Sequence, residues 1–459
     1  MNHTENTPPA DGSLRDRTGD EQRSLAATRR NVAFTSMIGT LVEFYDFAIY
    51  GVAAALVFPS VFFPALSATA GVLASFATFG VAFVARPIGG ALFGHFGDRL
   101  GRKRTLVTTL LMMGIATAGV GLLPTPALIG AAAPLILVAL RIVQGLAAGG
   151  EWAGANLFVT EYAPKDKRGF WATFPQLGAT LSFPLANATF LATGLGMDNE
   201  TFTNYGWRIP FITSAVLVAV GLYVRLKIDE TPVFQQELAR NGAARMPFLD
   251  AFRHQAREIV LAAGVGLTPF AFFYVSGTYL TNYAHGELGL SRTFVLTAGT
   301  VSGLMLALGG LVGAAVSDRF GRRAVIGGAS VTSAVWALAL FPVLSHASGL
   351  TFTLALCVTM LLSGIQFAPM GAFLPEQFHT RYRYSASAVS YNLGTVIGGS
   401  VSPLIAPSMT KSFGAPAFGV YLAALCLLAA ICTFRLRETR MVDLDRLDLD
   451  QAEAAPQGH

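Results

Sequence analysis

Long apolar runs, separated by short polar segments, make up most of this chain. A helix that crosses a membrane needs roughly 20 predominantly apolar residues, and the polar segments delimit twelve runs of about that length. The pattern therefore predicts an all-α membrane protein with twelve transmembrane helices. We place these helices at about residues 33–58, 70–95, 105–124, 132–158, 170–194, 208–228, 258–283, 292–316, 324–345, 350–374, 384–409 and 414–436.

The composition agrees with this interpretation. Of the 459 residues, 53% are hydrophobic and only 13% are charged, whereas about 25% are charged in an average soluble domain. The 48 glycines suit membrane helices, because small residues let helix backbones approach closely. The formal net charge of +5 follows from basic residues in the loops, so it does not indicate a nucleic-acid partner.

Basic residues collect in alternate loops. Both terminal tails and one set of loops hold most of the Lys and Arg, whereas the loops on the other side hold only Arg208, Arg292 and Lys411. Basic residues are retained on the cytoplasmic side of membrane proteins. The distribution therefore predicts that both termini lie in the cytoplasm.

The longest polar stretch between predicted helices divides them into two groups of six. Its amphipathic parts, at 233–238 and 248–252, suit either the membrane surface or a solvated linker. We predict a disordered cytoplasmic tail at 1–31, a six-helix bundle at 32–228, a cytoplasmic linker at 229–257, a second six-helix bundle at 258–436 and a short cytoplasmic tail at 437–459.

A charged turn occurs once in each half. GHFGDRLGRKR covers residues 94–104 and SDRFGRR covers residues 317–323, so that Asp318 lies 220 residues after Asp98 (318 − 98). This repeat predicts a duplicated membrane domain. The basic residues can pair with acids at neighbouring helix ends, closing the cytoplasmic face, or they can simply mark the cytoplasmic side. The candidate cytoplasmic gate residues are Asp98, Arg99, Arg102, Lys103, Glu151, Glu161, Asp318, Arg319, Arg322 and Arg323.

Charged residues also occur inside the predicted helices. A charge at the bilayer centre costs at least about 2.5–3.5 kcal/mol on insertion scales, so each needs a partner, water or a function. We expect Glu151 to join the charges that brace the cytoplasmic face. The residues at membrane depth are Glu43, Asp46, Arg86, Arg141 and Glu151.

The acids of the first helix are candidates for proton coupling. Glu43, Asp46 and Tyr50 share one helix face. Arg141 and Gln144 lie on one stripe of the fourth helix, at a depth similar to that of Asp46. We predict an ion pair between Asp46 and Arg141, with proton uptake by Asp46 releasing Arg141 for an anion. A permanent pair that only holds the two helices together is the alternative.

Arg86 has two possible roles. It either binds a substrate carboxylate or pairs with Glu151 or Asp46. The second half lacks membrane charges but has polar groups that can hydrogen-bond a small substrate. The candidate substrate-binding residues are Arg86, Arg141, Gln144, Tyr50, Tyr274, Gln366, Tyr391 and Asn392.

Enzyme chemistry has no support in the sequence. It contains no phosphate-binding loop, catalytic triad or metal-ligand spacing, and Cys357, Cys426 and Cys432 all lie inside apolar runs, where they pack as small hydrophobic residues. We therefore expect no enzymatic activity, no metal and no cofactor, with the proton as coupling ion.

Several of these stretches resemble the motifs of one transporter family. GDRLGRK and SDRFGRR resemble the paired loop motif of the major facilitator superfamily. VEFYDFAIYG, RPIGGALFGHFGDRLGRK, RIVQGLAAGGEWAGA and DETPVF resemble the metabolite:proton symporter family within it. The likeness covers about residues 30–440.

The resemblance implies a major facilitator fold and a proton-driven importer of the bacterial inner membrane. Members of the family carry shikimate, 2-oxoglutarate, citrate, dicarboxylates, or proline and betaine. Asp46 matches the acid of the Tyr-Asp-Phe motif, Arg86 the arginine of the second helix, and Arg141 and Glu151 the charges of the fourth. The run from Phe76 to Gly154 is most similar to the shikimate branch, but helices 7 and 10 depart from it and leave the substrate open.

We therefore predict a secondary active transporter that imports a small organic acid with protons by alternating access. The acid is either shikimate-like or a di- or tricarboxylate. A zwitterion such as proline or betaine is the alternative substrate, and the two membrane arginines favour the anion. A non-transporting membrane sensor is a third alternative, but it would require a soluble domain or signalling tail. The expected partners are the substrate and membrane lipid, and the carrier is expected to act as a monomer.

Overall fold

The computed structural model describes residues 12–100, 102–162, 168–226, 247–345, 348–378 and 383–440. Within these ranges the chain is almost wholly helical and has no strand, and helices occur at all twelve predicted spans. They are α1 (Gly12–Leu56), α2 (Ala68–Leu100), α3 (Arg102–Leu122), α4 (Ala132–Ala148 and Glu151–Tyr162), α5 (Arg168–Gly194), α6 (Arg208–Leu226), α7 (Pro247–Val265, Leu267–Tyr274, the π-helix Val275–Leu280 and Thr281–Gly286), α8 (Arg292–Phe320), α9 (Arg322–Leu344), α10 (Gly349–Phe373), α11 (Arg383–Gly394, the π-helix Thr395–Val401 and Ser402–Phe413) and α12 (Ala415–Arg435).

Nine of the helices in the described ranges are long and apolar enough to cross a membrane. The other three, α4, α5 and α11, carry sequence features that interrupt an apolar helix. A Gly-Gly pair splits α4, α5 contains Pro175 and Pro184, and α11 contains a π-helical turn. Such irregularities are tolerated in membrane helices where neighbouring helices satisfy the freed backbone groups.

Two of the predicted boundaries differ from the structure. α1 begins at Gly12, so residues 12–31 of the predicted disordered tail are helical, since this stretch is rich in good helix formers such as Ala, Leu, Arg, Glu and Gln. α7 begins at Pro247, inside the predicted linker, and bends at Gln255. Residues 227–246 of the linker lie outside the described residues.

The two halves repeat one packing pattern. In the first half the main contacts are α1 with α5, α2 with α4, and α3 with α6. Six helices later the same contacts recur as α7 with α11, α8 with α10, and α9 with α12. The halves meet through α5 against α8 and α11 against α2. The duplication indicated by the charged turns is therefore present in the helix packing.

Glycines bring the helices of the α2–α4 pair into backbone contact. A Cβ atom on Gly145 would lie 2.1 Å from the carbonyl oxygen of Ala82, and one on Gly149 would lie 2.0 Å from that of Arg86. The equivalent α8–α10 pair is built in the same way, with Gly313 facing the carbonyl oxygen of Ile365 at 2.2 Å. The close α2–α4 contact places Arg86 next to the polar stripe of α4.

The ends of the helices define two faces of the molecule. We call the end that carries Arg225, Arg319 and Arg322 the basic face, and the end that carries Arg208, Arg292 and Lys411 the opposite face. α1 begins at the basic face, so Glu43 lies nearer this face than Asp46, and Tyr50 lies nearer the opposite face.

Candidate functional site

The charged residues predicted at membrane depth are all buried. Glu43, Arg86 and Arg141 are 0% exposed, and Asp46 and Glu151 are 1% exposed. They lie between α1, α2 and α4, and a sixth charge, Arg225 of α6, joins them at the basic face. The first half therefore contains three acids and three arginines in one buried polar core, which we call the charged core.

Asp46 and Arg141 do not form the predicted ion pair in the described structure. Instead, two neutral side chains connect them: Thr117 Oγ1 donates to Asp46 Oδ2 at 2.7 Å, and Gln144 Nε2 donates to Thr117 Oγ1 at 2.7 Å. Gln144 Oε1 in turn accepts from Arg141 Nη1 at 2.7 Å. The prediction failed because helical spacing gives the depth of a residue but not the residue that a neighbouring helix places between two charges.

Arg141 is held by aromatic rings and a carbonyl. Its guanidinium carbon lies 3.9 Å from the centre of the Tyr50 ring, and Nη2 donates to the Phe79 carbonyl oxygen at 3.3 Å. The Tyr50 hydroxyl is hydrogen-bonded to Thr78 at 2.7 Å. Cation–π contacts partly offset the loss of water around a buried guanidinium. They leave the positive charge of Arg141 without a directly contacting carboxylate in the described structure.

Arg86 pairs with Glu43 rather than with either predicted acid. Its Nη2 lies 3.3 Å from Glu43 Oε1, and its guanidinium carbon lies 4.0 Å from the centre of the Phe47 ring. Arg86 Nε and Nη1 make no hydrogen bond to the described residues. Buried polar groups are normally satisfied, so these two nitrogens are candidates for contact with a ligand.

Two tyrosines of the second half face this arginine. Tyr274 and Tyr391 are both buried. The Tyr274 hydroxyl has no hydrogen-bond partner among the described residues, and the Tyr391 hydroxyl lies towards the Arg86 guanidinium without a well-formed hydrogen bond to it. Both phenols lie within electrostatic reach of Arg86. Tyr391 stacks on Trp152 with ring centres 3.8 Å apart, and Tyr274 meets Phe83 edge to face at 4.8 Å. The structure thus brings Arg86, Tyr274 and Tyr391 together at the junction of the halves.

The remaining candidates of the second half are already engaged. Gln366 binds Ser330 and Ser333 of α9 at 2.8 and 3.0 Å, so its amide is turned away from the charged core. Asn392 donates to the Gly149 carbonyl oxygen at 2.9 Å and joins α11 to the break in α4. In this conformation Asn392 therefore connects the two halves, and Gln366 braces α10 against α9.

The charged turn of the first half is only partly described. α2 ends at Leu100 and α3 begins at Arg102, so the turn joins two helices as predicted. The side chains of Asp98, Arg99, Arg102, Lys103 and Glu161 lie outside the described residues. Glu151 is described, and it forms an ion pair with Arg225 of α6.

The second charged turn forms a network with residues that sequence reasoning missed. Arg322 Nε lies 3.2 Å from Glu376 Oε2, and the backbone N–H groups of Arg322 and Arg323 donate to the carboxylate of Glu438 at 3.0 Å each. Gly321 has a φ of 97°, which favours glycine, and a Cβ there would lie 2.6 Å from Glu438. Arg319 stacks over Phe320, while Asp318 is exposed and forms no ion pair with a described residue.

Electrostatics explain why Glu438 stays ionised. Although burial disfavours its charge, hydrogen bonds from the backbone N–H groups of Arg440, Arg322, Arg323 and Thr439 hold the pKa of Glu438 below its usual value. Because two of these backbone groups, those of Arg322 and Arg323, lie more than 110 positions away, no side-chain motif could have identified Glu438 from the sequence.

Contacts between the halves close both faces. Towards the basic face, the Tyr384 hydroxyl donates to the Gly150 carbonyl oxygen at 2.8 Å and Gln176 donates to that of Phe367 at 3.3 Å. At the opposite face, Asn282 donates to the Ala55 carbonyl oxygen at 2.9 Å and Arg292 to that of Met197 at 3.2 Å. The halves are thus in contact at both faces in the described part of the chain.

A cavity lies at the opposite face, among the residues that form these contacts, and is partly open to the surroundings. It has a volume of about 330 Å³ and is lined by both halves, including Ser60, Asn199, Asn282, His285 and Arg292. Arg292 also lies over the Phe202 ring at 3.8 Å. Small-molecule sites commonly occupy about 300–1,000 Å³, so this cavity can admit a small polar molecule between the halves.

Family models match both halves of the chain. A model described as "Sugar (and other) transporter" matches residues 32–258, and one described as "Major Facilitator Superfamily" matches residues 261–454. The two matches meet at the start of the second half, in agreement with the repeat seen in the packing.

Curated relatives align along nearly the whole chain. An inner membrane metabolite transport protein, YhjE of Escherichia coli, is 44% identical over 90% of this chain and 95% of its own length. The shikimate transporter of the same organism is 36% identical over 95% and 98%. Its proline/betaine transporter is 32% identical over 89% and 84%.

Solved structures of a xylose transporter share the architecture. The partially occluded inward-open form of XylE from Escherichia coli superimposes with a TM-score of 0.72, covering 91% of this chain and all of that one at 18% identity. The agreement supports the twelve-helix arrangement of the described residues.

Proposed function

Because the chain belongs to the major facilitator superfamily of transporters, we propose that it imports a small organic acid together with protons. The import crosses a bacterial inner membrane, with the basic face in the cytoplasm. The name of YhjE supports the location, and the collection of Lys and Arg on one face supports the orientation.

The observation that carries the substrate proposal is the unfilled hydrogen-bonding capacity around Arg86. Two guanidinium nitrogens and two phenol hydroxyls are buried without hydrogen-bond partners among the described residues. A carboxylate accepts from a guanidinium and from phenols, so it can satisfy all of these donors. Since Tyr274 of the second half packs against Phe83 of the first half beside Arg86, the halves must separate slightly for substrate to reach it.

Proton coupling is assigned to the chain of groups between Asp46 and Arg141. Asp46 is buried beside Thr117 and has no directly contacting cation in the described structure, so a proton can neutralise it at little electrostatic cost. Once Asp46 is neutral, it no longer attracts Arg141 through Thr117 and Gln144. Arg141 then adds positive charge to the space beside Arg86, which favours entry of an anion.

Alternating access is assigned to the contacts that close the two faces. Opening towards the outside breaks the contacts of Asn282 and Arg292, which line the 330 Å³ cavity at that face, and extends this cavity towards the charged core. Opening towards the inside breaks the contacts of Tyr384, Asn392 and Gln176. Rocking of one six-helix bundle against the other around a central site is the usual motion of carriers with repeated halves.

Uptake into proteoliposomes tests this proposal. Purified protein is reconstituted and given labelled shikimate, 2-oxoglutarate, citrate or glycine betaine, with an inward proton gradient and with or without a protonophore. We expect an organic acid to accumulate and the protonophore to abolish the accumulation. Accumulation that survives the protonophore would remove proton coupling, and accumulation of glycine betaine alone would identify a zwitterion carrier, which the relative named as a proline/betaine transporter makes the second candidate.

A further inference from the structure

The charged core has one acid and one arginine without direct charged partners. Glu43 contacts Arg86 at 3.3 Å, and Glu151 contacts Arg225. Each of these pairs is electrically neutral. Among the described residues, no guanidinium lies within ion-pair distance of the Asp46 carboxylate, and no carboxylate lies within that distance of the Arg141 guanidinium. The side chains of Asp46 and Arg141 are both buried. The net charge of the core therefore depends on the protonation of Asp46.

The hydrogen bonds around Thr117 fit a protonated Asp46. A hydroxyl group has one hydrogen to donate and can accept two hydrogen bonds. Thr117 Oγ1 accepts from Gln144, and it also lies 2.7 Å from Asp46 Oδ2 and 2.9 Å from the Met113 carbonyl oxygen. If Asp46 is ionised, both of these oxygens compete for one hydrogen. If Asp46 is protonated, the direction of the Asp46–Thr117 hydrogen bond reverses: Asp46 donates to Thr117, Thr117 donates to the Met113 carbonyl oxygen, and each of the three contacts of Thr117 has its own hydrogen.

The surroundings of Asp46 favour the same form. An isolated buried carboxylate is strongly disfavoured unless it is paired. The Thr117 and Ser214 hydroxyls are its nearest uncharged polar neighbours. The charged and titratable groups that face Asp46 are Glu43 and Tyr45 of α1 and Arg141 and Glu151 of α4.

With Asp46 protonated, the charged core carries one net positive charge, on Arg141. We infer that this carrier takes a singly charged carboxylate, and that each substrate molecule enters with one proton and no net charge. The inference rests on the proposed function and narrows it to monocarboxylates. The proton binds the Asp46 carboxylate, and the single negative charge of the substrate balances Arg141.

Substrates of similar size but different charge leave the charged core with a net charge. A dicarboxylate would bring a second negative charge, while Arg86 is already neutralised by Glu43 at 3.3 Å. A zwitterion would leave the charge of Arg141 uncompensated. Since uncompensated charge in a low-dielectric interior is expensive, the arrangement selects a monoanion over both.

Separate control of the pH gradient and the membrane potential tests the inference. Proteoliposomes with the full-length protein receive labelled shikimate, 2-oxoglutarate or glycine betaine. With the potential clamped at zero, one pH unit, alkaline inside, should concentrate shikimate about tenfold at equilibrium. A potential of about 100 mV, negative inside and without a pH gradient, should not concentrate it, whereas co-entry of one net positive charge would give about fiftyfold.

The other possible results separate failure of the inference from failure of the proposed function. Accumulation of shikimate by the potential alone, or transport of 2-oxoglutarate or glycine betaine at a comparable rate, overturns the inference and leaves proton-coupled transport standing. No accumulation of any probe under both gradients together overturns the proposed function and the inference with it.

Two matched variants locate the proton. Asp46→Asn imitates the protonated acid, so it should still exchange labelled for unlabelled shikimate across the membrane but should lose the tenfold accumulation. Asp198→Asn makes the same change on the exposed loop after α5 and should behave as the unchanged protein. Gradient-driven accumulation by Asp46→Asn would overturn the assignment.

Discussion

At the scale of single residues, the proposed function gives the Glu43–Arg86 pair both a structural and a binding role. Glu43 uses Nη2 of the guanidinium, and Nη1 and Nε make no hydrogen bond to the described residues. A lysine carries the same charge but lacks the planar set of donors that binds a carboxylate in two places. The pair therefore explains why an arginine rather than a lysine stands at the junction of the halves.

Neutralising only one member of this pair should lower the stability of the folded protein, and neutralising both members should restore most of that stability. Arg86→Gln leaves Glu43 buried without its cation, and loss of one partner of a buried pair costs about 3–5 kcal/mol. We expect a lower melting temperature in detergent for this variant. The double variant Glu43→Gln with Arg86→Gln should regain most of the stability but bind no carboxylate. A double variant as unstable as the single one would contradict this account.

The tyrosine hydroxyls should contribute to substrate affinity. Tyr391→Phe keeps the stack on Trp152 but removes the unpartnered hydroxyl, so we expect the KM of carboxylate uptake to rise about tenfold with little change in folded yield. Tyr205→Phe, at a position 71% exposed on the opposite face, serves as the control. An unchanged KM for Tyr391→Phe would exclude a hydrogen bond from this hydroxyl to the substrate.

At the scale of elements, the α2–α4 contact sets the position of Arg86. Because Gly145 and Gly149 face backbone carbonyl oxygens rather than side chains, the two helices cannot shift to accept a larger residue without moving Arg86 as well. The small residues of α4 are thus required by the site and not only by the fold.

A methyl group added at the α2–α4 contact should impair folding and transport far more than one added on the exposed part of another helix. Gly149→Ala places a Cβ atom 2.0 Å from the Arg86 carbonyl oxygen, whereas Gly328→Ala on α9 meets nothing within 4 Å. We expect Gly149→Ala to reduce the folded yield and the uptake rate strongly, and Gly328→Ala to match the unchanged protein, since alanine is also the better helix former. Equal behaviour of the two variants in size-exclusion chromatography and uptake would argue against the backbone contact.

The network at the second charged turn should be sensitive to acid. Glu438 has a lowered pKa in the folded protein, so its stabilising contribution is present above the ordinary carboxyl pKa and is lost as the pH falls through the folded value. Glu438→Gln should therefore melt at a lower temperature than the unchanged protein at pH 7. The difference should shrink as the pH falls below the ordinary carboxyl pKa of about 4.3 and through the lowered folded value, where the Glu438 side chain becomes neutral. A difference that stays constant with pH would exclude this linkage.

At the scale of the whole molecule, the duplication organises the carrier. α5 with α8 and α11 with α2 form equivalent contacts between the halves, while the charges lie in the first half and the facing tyrosines in the second. One half therefore supplies the ionic groups and the other the neutral donors. In the proposed alternating-access cycle, movement of the halves brings the two sets together or separates them.

More of the architecture than of the site could be predicted from the sequence. Apolar run length and the repeated turn predict the helices and the duplication, because both depend on local composition. The buried charges were also recognisable, since charge is rare in such runs. Their partners were not, because Asp46 meets Thr117 and Arg86 meets Glu43 through contacts set by the rotation of neighbouring helices. Glu438 was missed for the same reason, because two of its partners are backbone amides of a distant turn.

The central claim, that proton uptake by Asp46 accompanies entry of the substrate, is tested most directly by recording the external pH. A monocarboxylate such as shikimate is added to a dense, weakly buffered suspension of cells that produce the protein. The account predicts an immediate alkalinisation of the medium with the unchanged protein and none with Asp46→Asn, although both proteins exchange labelled substrate. Entry of the substrate through the unchanged protein without alkalinisation, or equal alkalinisation with Asp46→Asn, would contradict it.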